Sequence, residues 1–194
     1  MELKRRPLQG VLNILDFNKH FYFYGIAALL LLLAIAYILN LPIIISLLII
    51  AGFSYGLLMP LIISAYVYDF SGYYSLKWLD QFIEDKSLPL KIVNINAGFD
   101  ETSFLIKDKI KNADLQVYDF YDQDLHTEPA IVRARKVSLV YPNTQQIKSD
   151  AIPQKDESID VVFLLSSAHE IRAFPEKVEF LKECHRICKP KGKV

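Results

Sequence analysis

Residues 91–122 read KIVNINAGFDETSFLIKDKIKNADLQVYDFYD, and this stretch decides the fold of the chain. Residues 91–95 alternate and are β-branched, which predicts a strand. Asn96, Ala97 and Gly98 then make a tight turn. Phe104, Leu105, Ile106 and Ile110 fall on one side of a helix, with Lys and Asp opposite. Residues 115–118 form a second strand that ends at Asp119, 21 positions after Gly98. A carboxylate so placed in a βαβ unit suits a pair of ribose hydroxyls.

The turn is poor in glycine, since a dinucleotide fingerprint wants G-x-G-x-x-G and only Gly98 answers. Asp100 and Glu101 stand where the helix begins. Carboxylates suit a helix N-terminus but repel a pyrophosphate seated there. A ligand bearing ammonium and sulfonium groups tolerates them, which favours S-adenosylmethionine (SAM) over NAD. The bland alternative is an α/β unit that holds no ligand.

Outward from this unit, composition divides the chain. Its 194 residues include 22 basic and 22 acidic ones, a balance that points away from nucleic acid as a partner. Hydrophobic content is 52%, with the excess before residue 70. Residues 1–20 are a basic leader, with Lys4, Arg5 and Arg6 ahead of Leu8, Val11, Leu12 and Leu15 at helical spacing. They read as a short surface helix or as a plain polar leader. Residues 21–39 and 43–67 are two uncharged apolar runs broken only by Asn40-Leu41-Pro42, hence a transmembrane helical hairpin over 21–67. Gly52 and Gly56 offer a close approach to the first span, and Pro60 predicts a kink. Basic residues flank the outer ends of the hairpin and not its turn. The expectation is a protein of the cytoplasmic membrane with both termini cytoplasmic.

Residues 68–90 form an aromatic juxtamembrane segment, with a helix expected to run to Asp85 and a domain boundary at Pro89. Thr127 is a candidate helix cap with Pro129 in the first turn, residues 145–149 a third strand and residues 159–165 a fourth, apolar on both faces. Residues 189–192 read as a turn, with a further strand starting at Val194. Strands alternating with helices predict an α/β fold, a partial doubly wound parallel sheet of Rossmann-like type. Cys184 and Cys188, one helical turn apart, lack the further ligands of a zinc site and do not readily bridge, so no metal is expected.

With these residues in hand, the stretch 91–194 resembles the class I SAM-dependent methyltransferases. In the resemblance Asn94 stands at the family's acidic position, Asn96 and Asp100 at its first and last glycines, and Gly98 matches its glycine. Asp119 matches the ribose-binding acid, and Ser149-Asp150 followed by Ile152-Pro153 the stretch beside the adenine amine. Residues 158–162, SIDVV, resemble the fourth strand, and Leu181 with Arg186-Ile187-Cys188-Lys189-Pro190-Lys191-Gly192 the "L-x-E-x-x-R-V-L-K-P-G-G" motif. The resemblance implies SAM as cofactor, held by Asn94, Asn96, Gly98, Asp119 and Asp150. It implies that Ser167-Ala168-His169-Glu170 faces the transferred methyl, with His169 as a general base and Glu170 orienting it or contacting substrate. A purely structural role for His169 competes with this.

The family's sheet has seven strands, and the expectation from sequence is a chain cut near the fifth, with an apolar fourth strand left at the edge and no turnover by the chain alone. The reading is a membrane-anchored methyltransferase whose acceptor is a small molecule or a lipid, quinone-like compounds included. The alternative is a non-catalytic, membrane-tethered SAM- or nucleotide-binding or assembly module.

Overall fold

The computed structural model describes residues 5–83, 85–126 and 128–194; Lys4 of the basic leader and the candidate cap Thr127 lie outside the described residues. The chain divides into two compact units, Arg5–Tyr73 and Tyr74–Val194.

The first unit is a helical hairpin. Helix α1 runs Gln9–Ile38 and α2 runs Ile43–Ser64. From Gln9 the leader is helical and continuous with the first apolar run, apart from a break at Asn18 (φ −122°, ψ 18°). There the Asn18 amide donates to the carbonyl of Ile14 at 3.1 Å, competing with the helix's own ladder. Asn40 takes φ 49° in the connecting turn, where asparagine tolerates the left-handed region. The two open ends of the hairpin meet: Gly10 N–H donates to Asp69 Oδ1 at 3.0 Å, and Arg5 Nη1 to the Tyr68 carbonyl at 2.9 Å. Gly10 is required here, because a Cβ on it would lie 2.7 Å from Tyr68 Cβ.

One expectation for this unit is corrected. Gly52 and Gly56 have nothing within 4 Å of their Cβ directions; the close approach is instead at Gly25 of α1, where an added Cβ would lie 3.0 Å from Leu57. Pro60 lies within α2, and a π-helical turn follows at Ala65–Phe70. Both helices are long and apolar enough to cross a membrane, and almost none of either is buried.

The second unit is α/β. Its elements are β1 (Lys91–Asn96), α3 (Thr102–Lys109), β2 (Asp114–Asp119), α4 (Pro129–Arg135), β3 (Gln145–Gln146), β4 (Ile159–Phe163), α5 (Phe174–Ile187) and β5 (Cys188–Lys193). The sheet order is β3-β2-β1-β4-β5 and every pairing is parallel. The order reverses beside β1, which makes the carboxyl end of β1 the topological switch point, the place where open α/β sheets bind ligands. Strand β1 is central, so Ile92 to Asn96 are all buried.

The fourth strand is not an edge, contrary to expectation. Residues 188–193, CKPKGK, of which 189–192 read as a turn with a strand expected only from Val194, form β5 and pair with β4. Lysines and a proline are poor central-strand residues but suit an edge, where charge and a missing N–H discourage further pairing. Lys189 Nζ bonds Asp160 Oδ1 across this pair at 2.7 Å. The third strand is shorter than expected, covering only Gln145–Gln146.

The helix expected to run to Asp85 is also absent. Leu76 takes φ 48°, and two 3-10 turns, Tyr73–Ser75 and Lys77–Gln81, stand in its place. Leu76, Leu79 and Ile83 are buried with Ile92, Ile106 and Ile110, so this segment packs into the α/β core rather than linking to it. Trp78 meets Phe163 edge-on, with ring centroids 6.5 Å apart. Cys184 and Cys188 are free and buried, and burial pushes the Cys184 thiol up to about 12.

Candidate functional site

The turn after β1 is shaped by side chains that stand where glycines are usual. Gly98 has φ 82°, a conformation L side chains rarely adopt. Asn96 Oδ1 accepts the Gly98 N–H at 2.7 Å and so closes an Asx turn. Asn94 is 1% exposed and works from beneath: its amide donates to Ser103 Oγ at 2.7 Å and Thr102 Oγ1 at 3.0 Å. Asp100 Oδ1 accepts the Ser103 N–H at 2.9 Å and so anchors the start of α3. Asp100 is 4% exposed, not a surface carboxylate. Asn96 Nδ2 and Asp100 Oδ2 are buried in this turn with no hydrogen-bond partner among the described residues.

Burial pushes the Asp100 carboxyl above its usual range, against hydrogen bonds from Ser103 and Thr102 that pull it back. A carboxyl whose folded pKa is raised binds its proton more tightly folded than unfolded. Its contribution to stability is present below the unfolded pKa of ~3.9 and is lost as pH rises through the folded value. Asp100→Asn, which keeps an accepting oxygen, therefore removes a loss of stability that sets in just above the ordinary carboxylate range. Thermal melts at pH 4 and pH 7 are expected to show a gain for the variant at pH 7 only; a lower melting temperature at pH 7 would contradict the assignment.

Asp119 ends β2 in register with Asn96 of β1. It is 8% exposed; Oδ1 accepts the Tyr121 N–H at 2.9 Å and Oδ2 is held by Arg135 Nη1 at 2.7 Å. The same Nη1 donates to the Ala97 carbonyl at 2.9 Å, and the guanidinium lies over the Tyr121 ring at 4.1 Å. A Cβ on Gly98 would lie 1.5 Å from that nitrogen. Arg135 therefore fills the space that Gly98 leaves open. Sequence reasoning missed it, because a basic residue in the last turn of α4 reads as a complement to the helix dipole.

Beside Arg135 opens a cavity of about 1140 Å³, lined by Tyr121, Arg135, Lys148, Ser149, Asp150 and Glu176 among others. Asp150 thus shares a cavity with the residue that follows the β2 end. One wall is tied by a second feature that sequence reasoning missed. His126, 1% exposed, accepts the Asp122 N–H on Nδ1 at 2.9 Å, so its Nε2 carries the proton toward Glu176 Oε1 at 3.1 Å. Ser149 Oγ donates to the same oxygen at 2.7 Å. Glu176 of α5 thereby fixes both loops that flank the cavity.

His169 and Glu170 lie elsewhere, in a 3-10 turn after β4, and neither lines this cavity. Their side chains pair, Nε2 to Oε1 at 3.0 Å, with that of His169 63% exposed. The loop that carries them is pinned by Ser167 Oγ, which donates to the Ile95 carbonyl at 2.7 Å. The structure brings Asn96, Gly98 and Asp119 together at the switch point, places Asp150 in the adjoining cavity and puts Asn94 below the turn.

Residues 110–194 match the family model of the methyltransferase domain. This part of the second unit is similar to a methyltransferase domain. The cofactor that this family implies is S-adenosyl-L-methionine. The match starts after the β1 turn. No curated protein matches the chain. Among solved structures, the YcgJ protein from Bacillus subtilis is 18% identical, with a TM-score of 0.39 over 61% of this chain and 47% of its own. A SAM-dependent methyltransferase from Aquifex aeolicus is 19% identical, with a TM-score of 0.34 over 63% of each chain. The chain spans less than two thirds of the length of either.

The donor set of the methyltransferase domain suits this cofactor in type. A carboxylate stands at the end of β2, and the turn leaves one buried donor and one buried acceptor open. The exception is Arg135, whose guanidinium fills the Gly98 cradle.

Proposed function

We propose that this protein is a membrane-anchored SAM-dependent methyltransferase that acts on a small-molecule or lipid acceptor, quinone-like compounds included. The observation that carries the reading is Asp119 at the carboxyl end of β2, beside the Gly98 turn at the switch point of a methyltransferase domain. Asp119 would accept the ribose hydroxyls, Tyr121 and Asp150 would flank the base, and Asn96 Nδ2 and Asp100 Oδ2 would hold the carboxylate and ammonium of the amino-acid end. Bound SAM supplies a methyl group activated by its sulfonium. The chain's part is to hold donor and acceptor in line, which lowers the barrier through positioning. His169, paired with Glu170, takes a proton from a hydroxyl nucleophile. Because β5 covers β4, the ground for expecting no turnover by the chain alone is gone; incubating the full chain in detergent with methyl-labelled SAM and a membrane extract is expected to label a lipid or a small molecule of the extract, and label left wholly on SAM would contradict the reading.

Anchoring rests on the hairpin. Apolar side chains such as Leu30, Leu31, Leu48 and Ile62 are more than half exposed along α1 and α2, a surface that calls for an apolar medium. With basic residues at the open end of the hairpin, both termini are expected in the cytoplasm. Single cysteines at Leu41 and Ser87, in a background without Cys184 and Cys188, test this: an impermeant thiol reagent outside the cell is expected to label the first and spare the second. Labelling at position 87 would reverse the topology.

A second reading, a tethered module without turnover, is favoured by one observation, the guanidinium of Arg135 in the Gly98 cradle. SAM binding without methyl release would select it.

A further inference from the structure

We infer that Arg135 sets the affinity for the nucleoside: it occupies the ribose position as an internal stand-in and must leave Asp119 before a ribose can bind. The inference rests on the SAM reading above and deepens it.

Four contacts converge on this side chain. Nη1 bonds Asp119 Oδ2 at 2.7 Å and the Ala97 carbonyl at 2.9 Å. The guanidinium stacks on Tyr121 at 4.1 Å, the ring placed to flank the base. It also lies 1.5 Å from where a Cβ on Gly98 would be, so the backbone approach that a glycine permits is already used. A ribose would seek the same carboxylate oxygen and the same open space. The two occupants exclude each other.

The displaced side chain has a place to go. The cavity beside it is lined by Asp122, Asp124, Asp150, Glu176 and Glu179, against Lys148 as the other cation. A guanidinium that swings off Asp119 stays in a negative field and keeps charge-assisted partners. Arg135 thus has two docks, Asp119 and the acidic wall, and the nucleoside selects the second. A ligand whose competent state is only partly populated binds more weakly by that fraction, and removing the competitor restores the difference.

Removing a cation also helps any cationic ligand through space, so the probe has to be neutral. 5′-Methylthioadenosine carries the ribose and base of SAM without its charges. Its affinity is measured by calorimetry on the full chain in detergent micelles, beside SAM, for wild type, Arg135→Gln, Arg135→Lys and both in an Asp119→Asn background. Arg135→Gln is expected to bind both ligands about tenfold tighter than wild type, the size of one lost charge-assisted hydrogen bond. Arg135→Lys keeps the charge but lacks the planar guanidinium that stacks on Tyr121, and is expected to bind tighter as well. In the Asp119→Asn background the gain is expected to shrink, because the charge-assisted bond that holds Arg135 there is weakened.

Unchanged or weaker nucleoside binding by both Arg135 variants overturns the inference, as does a gain undiminished in Asp119→Asn. A gain for SAM alone, absent for the neutral probe, reduces Arg135 to a through-space charge and overturns it too. If no variant binds either ligand, the SAM reading itself fails and takes the inference with it, a result distinct from wild type binding well and the variants binding no better.

Discussion

Replacing Asp119 with alanine is expected to weaken SAM binding by at least about tenfold. A carboxylate that accepts ribose hydroxyls makes charge-assisted hydrogen bonds worth about 1.5–3 kcal/mol each, and ~1.4 kcal/mol is a decade in affinity. Arg135 opposes this loss in part, because Asp119→Ala also removes one of the contacts that hold its guanidinium in the site. The net effect stays a loss, since alanine offers the ribose nothing while the competitor's two other contacts, Ala97 and Tyr121, persist. Asp119→Asn is expected to cost less, because an amide oxygen still accepts. Calorimetric titration of the full chain in micelles measures both; unchanged affinity in Asp119→Ala would remove the ribose assignment.

The largest expected effect on stability belongs to Phe180→Ala. Phe180 of α5 is fully buried and packs on Phe120 with ring centroids 5.1 Å apart. Phe120 in turn meets His126 edge-on at 5.3 Å. Emptying a buried phenylalanine site costs about 3–5 kcal/mol, a large share of the ~5–15 kcal/mol that holds a typical domain together. The α/β unit is expected to unfold at markedly lower denaturant, followed by fluorescence of Trp78, the only tryptophan, which packs on Phe163 in the same unit. A midpoint shift equivalent to less than about 1 kcal/mol would mean that α5 does not carry this core.

These two residues mark what the sequence made legible. The parallel order, the β1 turn and Asp119 follow from short-range signals: strand period, a left-handed position at Gly98, an acid at a strand end. Features that depend on partners distant in sequence were hidden. Arg135 reaches an acid 16 residues earlier and a carbonyl 38 residues earlier, and nothing local distinguishes it from Arg133 on the same helix. His126 and Glu176 are 50 residues apart and meet only once α5 lies beside the β2 loop.

Other differences have local causes. Residues 188–193 have turn chemistry, and they become a strand because β4 offers them a free edge. Trp78, Leu79, Phe82 and Ile83 have helical spacing, but Leu76 in the left-handed region interrupts the segment, and 3-10 turns bury Leu79 instead. Asn94 illustrates a subtler point. In the resemblance it stands at an acidic position and Asp100 at a glycine position, and in the fold the two side chains lie together, with Asn94 Nδ2 3.4 Å from Asp100 Oδ1.

The central claim is that the ends of β1 and β2 form a SAM site. It is tested most directly by titrating the full chain in detergent micelles with SAM and, in parallel, with NAD, following heat. The account predicts saturable binding of SAM at a single site, weakened in Asp119→Ala, and no heat of binding with NAD. Saturable binding of NAD with none of SAM would contradict it.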